Sequence, residues 1–331
     1  MMMIEVPQQK IKKRHYVGWI LFALMAVAMV IAIILNRVWI YDWYRGLGYE
    51  PTSDMIKIRD GLGLTARGRF LFDASRPELN NTEEFNKNCR QDESEMAVLG
   101  CYTVGTIYVY NITAEELNGI RELTTAHELL HAVWARMSDS EKSSISSVLE
   151  SVYNNNLGVL QEDVAVYGES ERMEELFVRA GTEIKNLPNE LERIYGEVFV
   201  DQDRIVDYYD GYIAVFRTIR EEMEKLENDM EVVNTEIQEL TGDYEKRASQ
   251  LEADIVSFNS CAEVAGCFQN EEDFYDRRDE LVARQNELEE LNERINALIN
   301  EYNKMVEEYN NNVTESHKLQ NLINSSKKIK L

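Results

Sequence analysis

The sequence predicts an α+β domain preceded by one transmembrane helix and followed by a long α-helical coiled-coil hairpin. Three observations carry this prediction. Residues 16–36 contain no charged side chain. Beyond residue 205 there is no proline, glycine occurs only at 211, 242 and 266, and apolar residues recur on a heptad. The stretch between mixes aromatic and β-branched runs bounded by glycine with capped, amphipathic segments.

The apolar run YVGWILFALMAVAMVIAIILN covers Tyr16 to Asn36. As a helix it reaches roughly 31 Å, about one hydrocarbon thickness. Lys10, Lys12, Lys13 and Arg14 stand before it, which places the N-terminus in the cytosol. Trp39, Tyr41, Trp43 and Tyr44 follow as an aromatic belt on the far side. Residues 1–15 are thus a basic cytosolic flank, 16–41 a transmembrane helix, and the rest extracytoplasmic. A cleaved signal peptide would have a shorter apolar core, and the one A-x-A, Ala26 to Ala28, lies inside the run.

The cysteines agree with that compartment. Cys89 and Cys101 form one local pair and Cys261 and Cys267 another, as two loop-closing disulfides would. Neither pair has the CxxC spacing of a four-cysteine zinc site. The net charge of −25, from 35 Lys and Arg against 60 Asp and Glu, argues against a nucleic-acid partner.

Within residues 46–205, GRFLFDAS (68–75) and GTIYVYNI (105–112) read as strands. Thr113-Ala-Glu-Glu116 reads as a capping box opening a helix to about Met137, and Ser138-Asp-Ser-Glu141 as a second. Further helices are expected over 171–186 and 189–200.

The first of these helices carries Thr125-Ala-His127-Glu128-Leu129-Leu130-His131. The i, i+4 spacing sets both imidazoles on one face, where they can share a metal ion, and Glu128 follows the first as a general base. Zn2+ suits the donors, because it activates water near neutral pH. The chain has only four histidines. Chance alone yields HExxH on the order of 0.005 times at such a composition. His15 sits among the basic flank and His317 in the coil, with no partner motif around either. The serine-rich segment 140–151 lacks Gly-x-Ser-x-Gly and reads as an exposed helix face.

HELLH on a helix behind an edge strand resembles the zincin metallopeptidases. Trp134 and Met137 stand where the metzincin branch has Gly and His, and no GxxD follows as in aspzincins. The remaining resemblance is gluzincin-like, with a glutamate on a later helix as third ligand. The segment from Tyr167 through Arg179 resembles the third-ligand segment of lethal-factor-like gluzincins. That resemblance implies Glu175 as the ligand and Tyr167 as the stabiliser of a tetrahedral oxyanion. Glu174 is the runner-up, and Glu171 and Glu183 stay open. The domain is then an α+β zincin-like metallopeptidase domain, acting on a protein or peptide substrate.

Residues 206–331 hold two heptad arms. Ile219, Met223, Leu226, Met230, Val233 and Ile237 open the first, and Leu288, Leu291, Ile295, Leu298 and Tyr302 run through the second. They read as an antiparallel coiled-coil hairpin with its tip near 259–273, stapled by Cys261–Cys267. Parallel self-association and a coiled-coil partner remain open, and Arg284 interrupts the seam. A second functional class follows from this arm: a surface-anchored adhesin or spacer whose zincin site is structural or inactive.

Overall fold

The computed structural model describes residues 13–89, 98–164 and 168–324. It comprises two units, one built from residues up to Tyr212 with the stretch from Ile323, the other from Ile213–Leu322. The chain is mostly helical, with a small three-stranded sheet.

The apolar run forms α1 (Lys13–Leu35), of which Gly18–Leu35 is long and apolar enough to cross a membrane. The expected single helix over 16–41 is broken at Asn36, and a separate helix α2 (Arg37–Gly46) follows. The break has a local cause: the Asn36 amide donates to the Ala32 carbonyl at 2.8 Å, and its backbone leaves helical geometry.

The next segment corrects the strand expected over 68–75. After α3 (Ser53–Gly61), the residues GRFLFDAS lie in α4 (Ala66–Ser75). Thr65 caps that helix, its hydroxyl accepting from the Gly68 amide at 3.0 Å. Gly68, Leu71, Phe72 and Ser75 are all buried, an i, i+3, i+4, i+7 face that only a helix presents to a core.

β1 (Glu78–Asn80), α5 (Thr82–Asn88), β2 (Gly100–Thr103) and β3 (Thr106–Tyr110) complete the α/β part. Strand order is β1-β3-β2, with β1 parallel to β3 and β2 antiparallel to it. β3 is the strand expected over 105–112. Both disulfides form as paired above. The β2–β3 turn places Val104 at φ 51° and Gly105 at φ 80°. Two positive φ angles define a hairpin turn that favours Asn-Gly, and a valine there costs on the order of 1–2 kcal/mol.

The helix expected from Thr113 begins later, as a second correction. A 3-10 turn covers Glu115–Leu117, and α6 runs Ile120–Trp134. Gly119 separates them at φ 92°, and a Cβ there would stand 2.6 Å from the Tyr208 ring. The chain turns sharply where Tyr208 packs, so the helix starts only beyond it. α7 (Asp139–Asn155) does carry the Ser138–Glu141 capping box. α8 (Leu157–Val164), α9 (Glu169–Glu183) and α10 (Asn189–Gly196) follow.

The second unit consists of the long helices α11 (Asp203–Ala262), from Ile213 onward, and α12 (Glu271–Ile323), which run antiparallel. Three cross-helix contacts set the register: Asp254 with Arg284, Glu236 with Arg294, and Glu227 with Tyr309. Arg284 is thereby matched rather than disruptive. Val233, Leu251, Leu288 and Ile295 of the heptad seam are buried. At the tip, the rings of Phe258, Phe268 and Phe274 meet at 5.1 to 5.3 Å beside the Cys261–Cys267 bridge.

One buried ion pair joins α2 to the end of α6. Arg136 donates from Nε and Nη2 to the two oxygens of Asp42 at 2.8 and 2.7 Å, and from Nη1 to the Tyr102 hydroxyl at 2.9 Å. Asp42 is 3% exposed. Removing it leaves a buried guanidinium without its counter-charge, so Asp42→Ala should cost about 3–5 kcal/mol. Denaturant unfolding of the detergent-solubilised chain reads this directly. A change below about 1 kcal/mol would mean the pair behaves as a solvated one.

Candidate metal centre

α6 packs Ala126, Leu129, Leu130 and Val133 into the core. Its two histidines lie on a different face, where their side chains keep 23% and 20% exposure. One helical turn apart, their Nε2 atoms point at each other at 3.3 Å.

α9 lies along α6, and an aromatic wedge fixes how. The Phe177 ring sits 5.2 Å from Trp134 and 5.1 Å from Tyr195, whose hydroxyl donates to the Phe177 carbonyl at 2.7 Å. With Phe177 held, Glu175 turns towards the histidines. Its Oε1 lies 3.8 Å from His127 Nε2 and its Oε2 3.6 Å from His131 Nε2, and the residue is 4% exposed. Ligand atoms of His127, His131 and Glu175 all fall within 4.8 Å of one another.

The donor set fits a tetrahedral zinc ion. Two ligand atoms each about 2.05 Å from one ion are separated by about 3.3 Å across a tetrahedron edge. The two imidazole nitrogens stand at that separation, 3.3 Å, and the carboxylate spans the pair, Oε2 at 3.6 Å from His131 Nε2 and Oε1 at 3.8 Å from His127 Nε2. Two imidazoles and one carboxylate, with part of the site open to solvent, also match the ligand count of hydrolytic zinc sites.

Glu174, next in sequence to Glu175, has a different place. Its Oε1 stands 2.8 Å from His131 Nδ1. A carboxylate only accepts, so Nδ1 carries the proton and Nε2 is left to bind a metal. Arg179, one turn on, donates to Glu175 Oε1 at 2.6 Å and to Glu183 Oε1 at 2.8 Å. That contact partly neutralises the buried carboxylate and occupies one of its oxygens.

The charges around the two imidazoles are unequal. Burial, the neighbouring His131 and the Arg179 guanidinium push His127 well below the ordinary histidine range. Burial would also lower His131, but the bond to Glu174 and the charges of Glu128, Glu175 and Glu174 raise it to about 9. The cluster thus favours positive charge beside His131.

Glu128 is buried at 5% exposure, under the first residue of β2. A Cβ on Gly100 would come within 2.7 Å of Glu128 Cγ and Oε1, and within 2.6 Å of Thr124 Cγ2. Strand backbone therefore lies directly on the general-base candidate, and only glycine permits this approach. Cys101, the next residue, is tied to Cys89.

The structure therefore brings together His127, His131 and Glu175, with Glu174 behind His131. Glu171 is exposed, and Glu183 is engaged by Arg179. Tyr167 lies outside the described residues. Arg179 and Gly100 were missed by sequence reasoning. Arg179 had a visible signal, the acid-base-acid ladder at 175, 179 and 183 with i, i+4 spacing. No family model matches the chain, and no curated protein or solved structure does either. The site has only its own geometry to speak for it.

Glu174→Gln keeps the shape but replaces the charged acceptor on His131. Zinc affinity, measured by chelator competition, should fall about 10- to 100-fold. Glu171→Gln should leave it unchanged. Equal affinities for the two variants would remove Glu174 from the site.

Proposed function

We propose that this protein is a membrane-anchored, extracytoplasmic zinc metallopeptidase of gluzincin-like type. The observation that carries this reading is the convergence of His127, His131 and Glu175 on one point, with Glu128 buried on the same helix. The N-terminal apolar helix and the two disulfides support the anchoring and the compartment.

His127, His131 and Glu175 would hold the ion, with Glu174 and Arg179 orienting His131 and Glu175. When bound, zinc would lower the pKa of a water to about 7 and polarise the scissile carbonyl. Glu128 accepts the proton from the attacking water and delivers it to the departing amine nitrogen. Gly100 keeps the strand close enough to hold Glu128 out of bulk solvent. Tyr167 is proposed, from the resemblance alone, to donate to the developing oxyanion.

A second reading attaches to the hairpin. The second unit's two long helices, α11 from Ile213 onward and α12, closed by a disulfide and three packed phenylalanine rings, make a stiff arm suited to partner binding or spacing. In that reading the protein is a surface-anchored adhesin or spacer, and the metal cluster only braces α6 against α9.

The Glu128→Gln chain separates the two. It should keep about one zinc per chain by elemental mass spectrometry, while cleavage of an unbiased peptide library falls about 10²- to 10⁴-fold. A zinc-loaded wild-type chain that cleaves nothing, or a Glu128→Gln chain as active as wild type, would overturn the peptidase reading.

A further inference from the structure

Helix α2 is built inside out. Its one fully buried residue is the charged Asp42, and Arg45 and Gly46 are its part-buried neighbours along the same seam. Arg45 donates to the carbonyls of Ala74 and Gly105 and to the Thr106 hydroxyl. The outer side meanwhile shows Tyr41 at 54%, Trp43 at 50%, Tyr44 at 71% and Leu47 at 51% exposure, and Trp39, stacked on Phe70 of α4, still keeps 57%. A helix packed on a water-soluble domain presents the opposite pattern, apolar side inward. Only a non-aqueous or interfacial neighbour makes this arrangement favourable, and tryptophan and tyrosine are the residues that suit a lipid headgroup layer.

Two further features lie beside α2. The β2–β3 turn, whose Gly105 carbonyl Arg45 holds, lifts Val104 to 90% exposure in a left-handed conformation that valine disfavours. A strained, fully exposed apolar residue at a turn tip calls for a partner. The charge balance also shifts locally: residues 37–76 carry seven basic side chains against five acidic ones, in a chain of net charge −25. With a small positive balance this stretch is not repelled by anionic lipid as the chain as a whole would be.

We infer that α2 and the Val104 turn form a lipid-docking surface that seats the first unit on the outer face of the membrane that α1 enters. The occupant is the headgroup layer itself, because α2 continues directly from the membrane-spanning helix after one residue. The Asp42–Arg136 pair then links that surface to the end of α6 and holds the two histidines at a set height above the bilayer. This inference rests on the membrane span and not on the metal.

All four cysteines are paired, so a single added cysteine takes a nitroxide label specifically. The full chain would be labelled at Val104→Cys, at Tyr44→Cys, and at Ser147→Cys on α7 as a water-exposed reference. Each would be placed in phosphatidylcholine–phosphatidylglycerol bilayers, and collisions with oxygen compared with those with a water-soluble nickel chelate. Labels at 104 and 44 should favour oxygen several-fold relative to the label at 147. Nickel access at 104 and 44 equal to that at 147 overturns the proposal. Dipolar broadening between labels at 44 without lipid contact overturns it too, in favour of a second copy. Lipid contact at 44 with full nickel access at 104 overturns the role given to the turn.

Discussion

Five ionisable groups and two imidazoles crowd the contact between α6 and α9, and the first unit is organised around keeping them balanced. His127, Glu128 and His131 of α6 meet Glu174 and Glu175 of α9, and Arg179 holds Glu175 and Glu183 along α9 itself. A buried carboxylate without compensation is among the most expensive things a core can contain. Glu174 is matched by His131 Nδ1, while Glu175 and Glu183 share Arg179. The Phe177 wedge between Trp134 and Tyr195 keeps α9 from sliding a turn and scrambling those pairings. Packing and electrostatics therefore constrain one another, and neither would set the geometry alone.

Even so, the balance leaves two imidazole nitrogens 3.3 Å apart with a carboxylate facing both. Two lone pairs at that distance repel unless a cation or proton lies between them. The acids gather on the His131 side of the pair, with Glu174 on its Nδ1 and Glu175 facing its Nε2, and that is where positive charge is held best. A divalent ion would answer the same demand more fully, since it would satisfy three donors at once. An arrangement chosen for stability alone would more readily use apolar residues of similar volume.

How much of this could be read beforehand depended on whether the signal was local. HELLH is local: a fixed spacing on a helix puts two ligands on one face whatever surrounds it. The hairpin is equally local, since heptads and the scarcity of helix breakers need no tertiary information. Glu174 and Glu175 are different, because adjacent residues on a helix point about 100° apart and only the position of α6 decides which faces the histidines. GRFLFDAS misled for a related reason. Its phenylalanines and flanking glycine carry strand-like composition, whereas Thr65 and the burial of 68, 71, 72 and 75 make it a helix. Composition lost to capping and periodicity. Gly119 likewise held back the start of α6, through a contact with Tyr208 nearly ninety residues away in sequence.

The same reasoning bears on α2, where the sequence reading stopped at an aromatic belt. Aromatic residues after an apolar span say that an interface is near; they do not say which way the helix faces. Burial supplies the missing direction, because Asp42 and Arg45 point into the protein while Tyr41, Trp43 and Tyr44 stay exposed. Turning α2 over, to bury Trp43 and Tyr44, would expel Asp42 from Arg136 and Arg45 from the β2–β3 turn. It would strand a guanidinium inside the fold without its counter-charge. The polar seam thus commits the apolar face outward, and through Arg136 it commits the end of the HELLH helix with it. Arg136 therefore couples α2 to the end of the HELLH helix, so a change that loosens α2 from the domain should be felt at His127 and His131.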